Sequence, residues 1–112
     1  MPTRITREVL RARLDGADRP VVVEALGAAF YADAHLPGAL NMPPGRVDRL
    51  APRLIPDPST DVVVYCTGTG TSADAVARRL EELGYPNVAV YTGGKEDWVE
   101  HGLPVERSDG LD

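Results

Sequence analysis

The sequence predicts an α/β sandwich with a mainly parallel sheet, and three observations predict it. Short β-branched and aromatic runs stand at Val21-Val22-Val23, Val62-Val63-Val64-Tyr65 and Val88-Ala89-Val90-Tyr91, each of a length and apolarity that suit a buried strand. Between them lie segments whose apolar residues recur at three- and four-residue spacing, the stripe of a helix. The second and third runs end in loops of small residues, Cys66 to Thr71 and Thr92-Gly93-Gly94. Alternating strands and helices with right-handed crossovers place helices on both faces of one sheet.

Taken in order, Thr6 can cap a first helix over Arg7 to Leu14, with Glu8 in its first turn, where a carboxylate complements the helix dipole. Asp15-Gly16-Ala17-Asp18 is a turn before the strand at 21–23. Glu24 follows at the strand's C-terminal end, the edge that faces the ligand crevice in an open parallel sheet. The simpler expectation for it is a loop carboxylate bonded to nearby backbone N–H groups. Ala28 to Ala34 reads as one or two helical turns, broken by Pro37-Gly38, and Ala39 to Met42 as a brief strand. His35 could serve as a ligand or base, but reads first as a histidine that fixes this turn by hydrogen bonds. Pro44-Gly45 leads into a helix with Val47, Leu50 and Leu54 as its stripe. Beyond the central strand and helix, Tyr85-Pro86-Asn87 turns into the strand at 88–91. A short helix over Lys95 to Glu100 follows, with Trp98 as its core anchor. Gly102 to Val105 closes the fold, and the polar tail from Glu106 is expected to fray.

A chain of 112 residues is one domain, with a core from about 5 to 105 and a tail over 106–112. Hydrophobic content of 43% is ordinary for a globular protein. A net charge of −5, from 12 basic and 17 acidic residues, disfavours nucleic acid or an anionic membrane as the main partner. No apolar run approaches membrane-spanning length, and the N-terminus lacks a signal-peptide core. One cysteine cannot make an internal disulfide. No Cys/His cluster has metal-site spacing, His35 and His101 stand far apart, and neither metal nor cofactor is expected. A free thiol of this kind fits a reducing cytoplasm.

The stretch from Asp61 to Gly84 organises the chain. After the strand comes Cys66, then Thr67, Gly68, Thr69, Gly70 and Thr71, then a helix striped by Ala73, Val76, Leu80 and Leu83 and ended by Gly84. A loop of small residues entering a helix turns successive N–H groups into a shared hollow, a ready anion site. A cysteine at the head of that loop sits where those groups favour thiolate, so Cys66 is a nucleophile candidate. Thr71 and Ser72 could cap the helix or hydrogen-bond a ligand. Cysteine phosphatases need Cys-x5-Arg for bidentate phosphate binding. The corresponding residue here is Ser72, so a phosphate fills this loop poorly.

These residues resemble single-domain rhodanese-like sulfurtransferases of the thiosulfate sulfurtransferase type. The matching pieces are VVVEAL at 21–26, HLPGALNMP at 35–43, VVVYC at 62–66, the loop and helix at 66–84, and YTGGKEDWVEHGLPV at 91–105. The resemblance implies a three-layer α/β/α sandwich around a five-stranded, mainly parallel sheet. It implies a persulfide-forming cysteine at Cys66 and a six-residue loop, Cys66 to Thr71, whose amides cradle the transferred sulfur. It further implies a small sulfur donor such as thiosulfate and a thiol or cyanide acceptor, with a protein donor or acceptor as a further option. The loop departs from the family in being uncharged: Thr67 stands where arginine or lysine is common, and Thr71 where another arginine is. Glu24-Ala25-Leu26 replaces the usual aspartate–valine–arginine. Arg46 and Lys95 are the candidates to restore positive charge from neighbouring loops, and Glu24 is a possible auxiliary residue. The competing readings are a non-catalytic interaction or redox-sensing module, and a sulfur carrier that requires a protein donor.

Overall fold

A computed structural model describes residues 2–108. Its elements are β1 (Thr3–Ile5), α1 (Arg7–Asp15), β2 (Val21–Glu24), α2 (Ala28–Asp33), β3 (Leu40–Asn41), α3 (Val47–Leu54), β4 (Val62–Tyr65), α4 (Ser72–Glu82), β5 (Val88–Tyr91) and α5 (Gly94–Glu100). The five strands lie in the order β1-β5-β4-β2-β3, and every pairing is parallel. The α/β sandwich read from the sequence is the fold observed.

Strand parity explains the two cores. Side chains alternate across a strand, so Val62 and Val64 of β4 pack with Val23, Val90, α3 and α4. Val63 and Tyr65 pack on the opposite face with Leu10 of α1, Tyr91 and Trp98 of α5. All four residues of β4 are buried, as its central place in the sheet requires. The α1 cap is as expected: the Thr6 hydroxyl accepts from the Val9 N–H at 3.2 Å.

Two helix stripes are shifted from expectation. The buried ridge of α3 and the residue after it is Val47, Ala51 and Ile55, at four-residue spacing, with Leu50 partly covered. Leu54 is exposed. The small Ala51 is fully buried in this core, a place that counting large side chains overlooks. In α4, Ala73, Val76, Ala77 and Leu80 are buried, whereas Leu83 sits at the C-cap and is exposed. Gly84 follows with φ +102, a backbone region that only glycine enters without strain.

The tail is a second correction. Glu106 does not fray: it exchanges backbone hydrogen bonds with His35, at 2.9 and 2.8 Å, and Ser108 N–H donates to the Ala32 carbonyl at 3.0 Å. Residues 109–112, the rest of the tail expected to fray, lie outside the described residues. No helix among the described residues is long and apolar enough to cross a membrane.

Candidate active site

Cys66 follows directly on β4 at the C-terminal edge of the sheet and is 5% exposed. It lies in the core on the α3/α4 side. Its thiol donates to the Gly70 carbonyl at 3.7 Å. A Cβ built on Gly70 would stand 4.0 Å from the Cys66 sulfur and 3.8 Å from Thr67 Oγ1, so the loop has curled back over the thiol. Gly68 has φ +130 and supplies the reversal. Among the described residues, no acceptor receives the backbone N–H of Thr67, Gly68, Thr69, Gly70 or Thr71. The eleven-residue α4 begins immediately afterwards, with Thr71 at the N-cap and no side-chain cap. The capping role expected for Thr71 or Ser72 is therefore not taken. A run of unpaired amide donors leading into a helix N-terminus stabilises negative charge on a small ligand.

The base of the loop is clamped from α5. Lys95 N–H donates to the Cys66 carbonyl at 2.8 Å, and Glu96 N–H to the Thr67 carbonyl at 2.9 Å. This contact requires glycine on both sides. A Cβ on Gly94, at φ +67, would stand 2.5 Å from the Gly68 nitrogen and 2.7 Å from the Cys66 oxygen. A Cβ on Gly68 would meet the Gly93 carbonyl oxygen at 2.5 Å. The Thr92-Gly93-Gly94 turn, read from the sequence as a loop of small residues at the end of a strand, is thus a direct support of the cysteine loop. The backbone donors of Lys95 and Glu96 carry no side-chain signature. Only the paired glycines hinted at the close approach.

Glu24 shares the sheet edge with Cys66 but not its face. In register, Glu24 is opposite Tyr65, the residue before the cysteine. Parity sends both toward α1 and α5. Glu24 is fully buried, and it is no loop carboxylate bonded to backbone. The Tyr65 hydroxyl donates to its Oε1 at 2.6 Å. Lys95 Nζ lies 3.0 Å from Oε1 and 3.1 Å from Oε2, and donates also to the Phe30 carbonyl at 2.9 Å. Tyr65 in turn accepts the Leu36 N–H at 3.1 Å. Burial, and then its hydrogen bond to Glu24, drive the Tyr65 pKa upward, so the phenol stays protonated. Its hydroxyl gave no signal in the sequence beyond strand propensity.

The two cations expected to serve the loop behave differently. Lys95 is spent on Glu24. Arg46 is exposed at the N-cap of α3, and among the described residues its side chain has no hydrogen-bond or ion-pair partner. His35 holds the turn as expected: it is 5% exposed, hydrogen-bonds the Tyr31 carbonyl at 2.7 Å through Nδ1, and stacks on the Tyr31 ring at 3.8 Å. No group of three or more His, Cys, Asp or Glu side chains able to hold a metal exists among the described residues.

Known proteins share this layout. Thiosulfate:glutathione sulfurtransferase of Saccharomyces cerevisiae is 25% identical over 93 residues, which cover 73% of this chain and 66% of that protein. YrkF of Bacillus subtilis, named as a candidate sulfur carrier protein, is 23% identical over 95 residues, 85% of this chain and 50% of YrkF. The chain thus spans about half to two-thirds of the length of these curated relatives. The crystal structure of thiosulfate sulfurtransferase from Pseudomonas aeruginosa superposes with a TM-score of 0.84 at 29% identity, over 95% of this chain and 20% of that one. The family model for the rhodanese-like domain matches residues 6–101, which take in every element from α1 to α5. The chain belongs to the rhodanese-like domain family.

Proposed function

We propose that this chain is a sulfurtransferase that moves a sulfane sulfur through a persulfide on Cys66. The observation that carries the reading is the thiol itself, at the end of β4 beneath a loop whose five N–H groups lack acceptors. Family membership and the two sulfurtransferase relatives support it.

In the first half-reaction the Cys66 thiolate attacks the sulfane sulfur of a donor such as thiosulfate. The donor S–S bond breaks, its electron pair leaves on sulfite, and Cys66 carries the persulfide anion. In the second, an acceptor thiolate or cyanide attacks the outer sulfur, and the Cys66 thiolate departs. No external oxidant or reductant enters either step, and the kinetics are ping-pong. The persulfide anion occupies the hollow under the amides of Thr67 to Ser72. Preorganised donors of this kind are typically worth about 10²–10³ in rate each. The Thr71 and Ser72 hydroxyls, free of capping duty, can add hydrogen bonds to the outer sulfur. Glu24 is not a base for Cys66, because it faces the other side of the sheet. It serves the loop through Lys95.

A second reading, a sulfur carrier loaded by a protein donor, is favoured by one observation: the nearby Lys95 ammonium is neutralised by Glu24, leaving it ill-suited to capture a small dianion. A reducing compartment, as in the cytoplasm, suits a chain with a single cysteine.

Cys66→Ser should abolish thiosulfate-to-cyanide transfer while the far-ultraviolet circular dichroism spectrum is unchanged. Activity retained in that variant would overturn the mechanism. Thr67→Arg should lower KM for thiosulfate if the missing cation limits capture; an unchanged KM would place donor capture elsewhere.

A further inference from the structure

Beside Thr67 the surface is neither cationic nor featureless. A depression of about 340 Å³ is lined by Thr67, Lys95, Glu96, Val99 and Glu100. Lys95 brings no net charge to it, because both oxygens of the buried Glu24 carboxylate hold its ammonium. Glu96 and Glu100 are exposed, and among the described residues neither has an ion-pair partner. The local balance is therefore two uncompensated negative charges next to the residue that follows Cys66. Val99, on the same helix, is 51% exposed. Phe30, the only phenylalanine in the chain, is 61% exposed on α2, a helix with no buried residue. The Lys95 ammonium hydrogen-bonds the Phe30 carbonyl, so α2 and α5 are tied together at this point.

A small dianion gains nothing from such a rim, which repels it. A cysteine on a polypeptide, flanked by basic and apolar side chains, matches it in both charge and polarity. Building on the sulfur-transfer reading, we infer that the depression lined by Thr67, Lys95, Glu96, Val99 and Glu100, joined through the Lys95–Phe30 hydrogen bond to the helix that exposes Phe30, docks a basic, apolar polypeptide segment whose cysteine takes the sulfur from Cys66. In that step the acceptor thiolate attacks the outer sulfur of the Cys66 persulfide. The S–S bond to Cys66 breaks, a new one forms on the acceptor cysteine, and Cys66 leaves as thiolate. The proton lost by the acceptor thiol is matched by the one Cys66 regains, so nothing is oxidised or reduced overall.

The test is single-turnover discharge of the thiosulfate-loaded chain, followed by intact mass. Three acceptors are compared: cyanide and two blocked peptides. Each peptide has one cysteine between leucines, flanked by lysines in one and by glutamates in the other. Each peptide rate is divided by that peptide's own rate with a small aromatic disulfide, which removes intrinsic thiol reactivity. The lysine peptide should discharge the chain about tenfold faster than the glutamate peptide at low salt, with the gap closing as salt rises. Glu96→Lys combined with Glu100→Lys should reverse the preference. Phe30→Ser combined with Val99→Ser should lower the ratio of lysine-peptide to cyanide discharge. Equal normalised rates for the two peptides, or a preference that survives charge reversal, would overturn the acceptor assignment while leaving sulfur transfer intact. A chain that no small donor loads would overturn transfer from a small donor, the reading on which this assignment rests.

Discussion

Two clusters flank the start of α5, built from the same three kinds of group and differing in burial. In one, Tyr65 at the end of β4 donates to Glu24, which also holds Lys95. In the other, Tyr91 at the end of β5 donates to Asp97 at 2.5 Å, and Asp97 also holds Arg7 at 2.7 Å. The first takes its carboxylate from the sheet and its cation from α5; the second takes its carboxylate from α5 and its cation from α1. Glu24 has no exposed surface, whereas the Asp97 side chain is 27% exposed. The difference is one of consequence. Asp97 fastens α5 to β5 and α1 in partial contact with water. Glu24 fixes Lys95 in the interior, where that residue's own N–H grips the Cys66 carbonyl. The buried cluster is coupled to the candidate site; the wetter one anchors the helix that carries the coupling.

Breaking the buried member should have the largest effect. Glu24→Ala leaves the Lys95 ammonium without its counter-ion, and losing one partner of a buried pair costs about 3–5 kcal/mol. Urea unfolding should show that loss, and Glu24→Ala with Lys95→Met should recover part of it. A loss below ~1 kcal/mol in the single variant would mean that water reaches the pair and that the two clusters are equivalent. Gly94→Ala comes next. A left-handed backbone and a Cβ driven into the loop backbone together cost about 3 kcal/mol. Transfer activity should fall in protein that remains folded, because Cys66 and Thr67 are the atoms displaced. Full activity would show that the clamp is not needed to hold the loop.

Asp97→Asn is the smallest effect, about 1–2 kcal/mol at neutral pH. The hydrogen bond from Tyr91, and then Arg7, hold the Asp97 carboxyl below the usual carboxylate range. A depressed folded-state pKa stabilises the fold above the unfolded-state value, and the benefit is lost as pH falls through the folded one. The difference in urea midpoint between wild type and variant should therefore be present at neutral pH and shrink in acid. A difference that is independent of pH would assign the role of Asp97 to packing alone.

Much of this was legible in the chain. The three apolar runs located β2, β4 and β5, and the small-residue loop after β4 located the thiol. What escaped has physical reasons. β1 is three residues long at the sheet edge, and only Ile5 is even partly buried, so no apolar run announces it. The docking of Glu106 and Ser108 is made by backbone hydrogen bonds and by one from the Gly38 N–H to the Glu106 carboxylate, pairings that composition does not report. The stripe of α3 runs through Ala51, and a search for large side chains passes over it. Glu24 was visible as an acid at a strand end. Its orientation needed the register with Tyr65, which sequence spacing does not contain. The pairing of Lys95 followed from that orientation, and with it the loss of the charge expected to greet an anionic donor.

The central claim is that Cys66 takes up sulfur from a small donor. The most direct test is intact mass of the protein after incubation with excess thiosulfate and desalting without reductant. The account predicts a gain of one sulfur atom, removed by cyanide and absent in Cys66→Ser. An unchanged mass with thiosulfate and with a small-molecule persulfide alike, in folded protein, would contradict it.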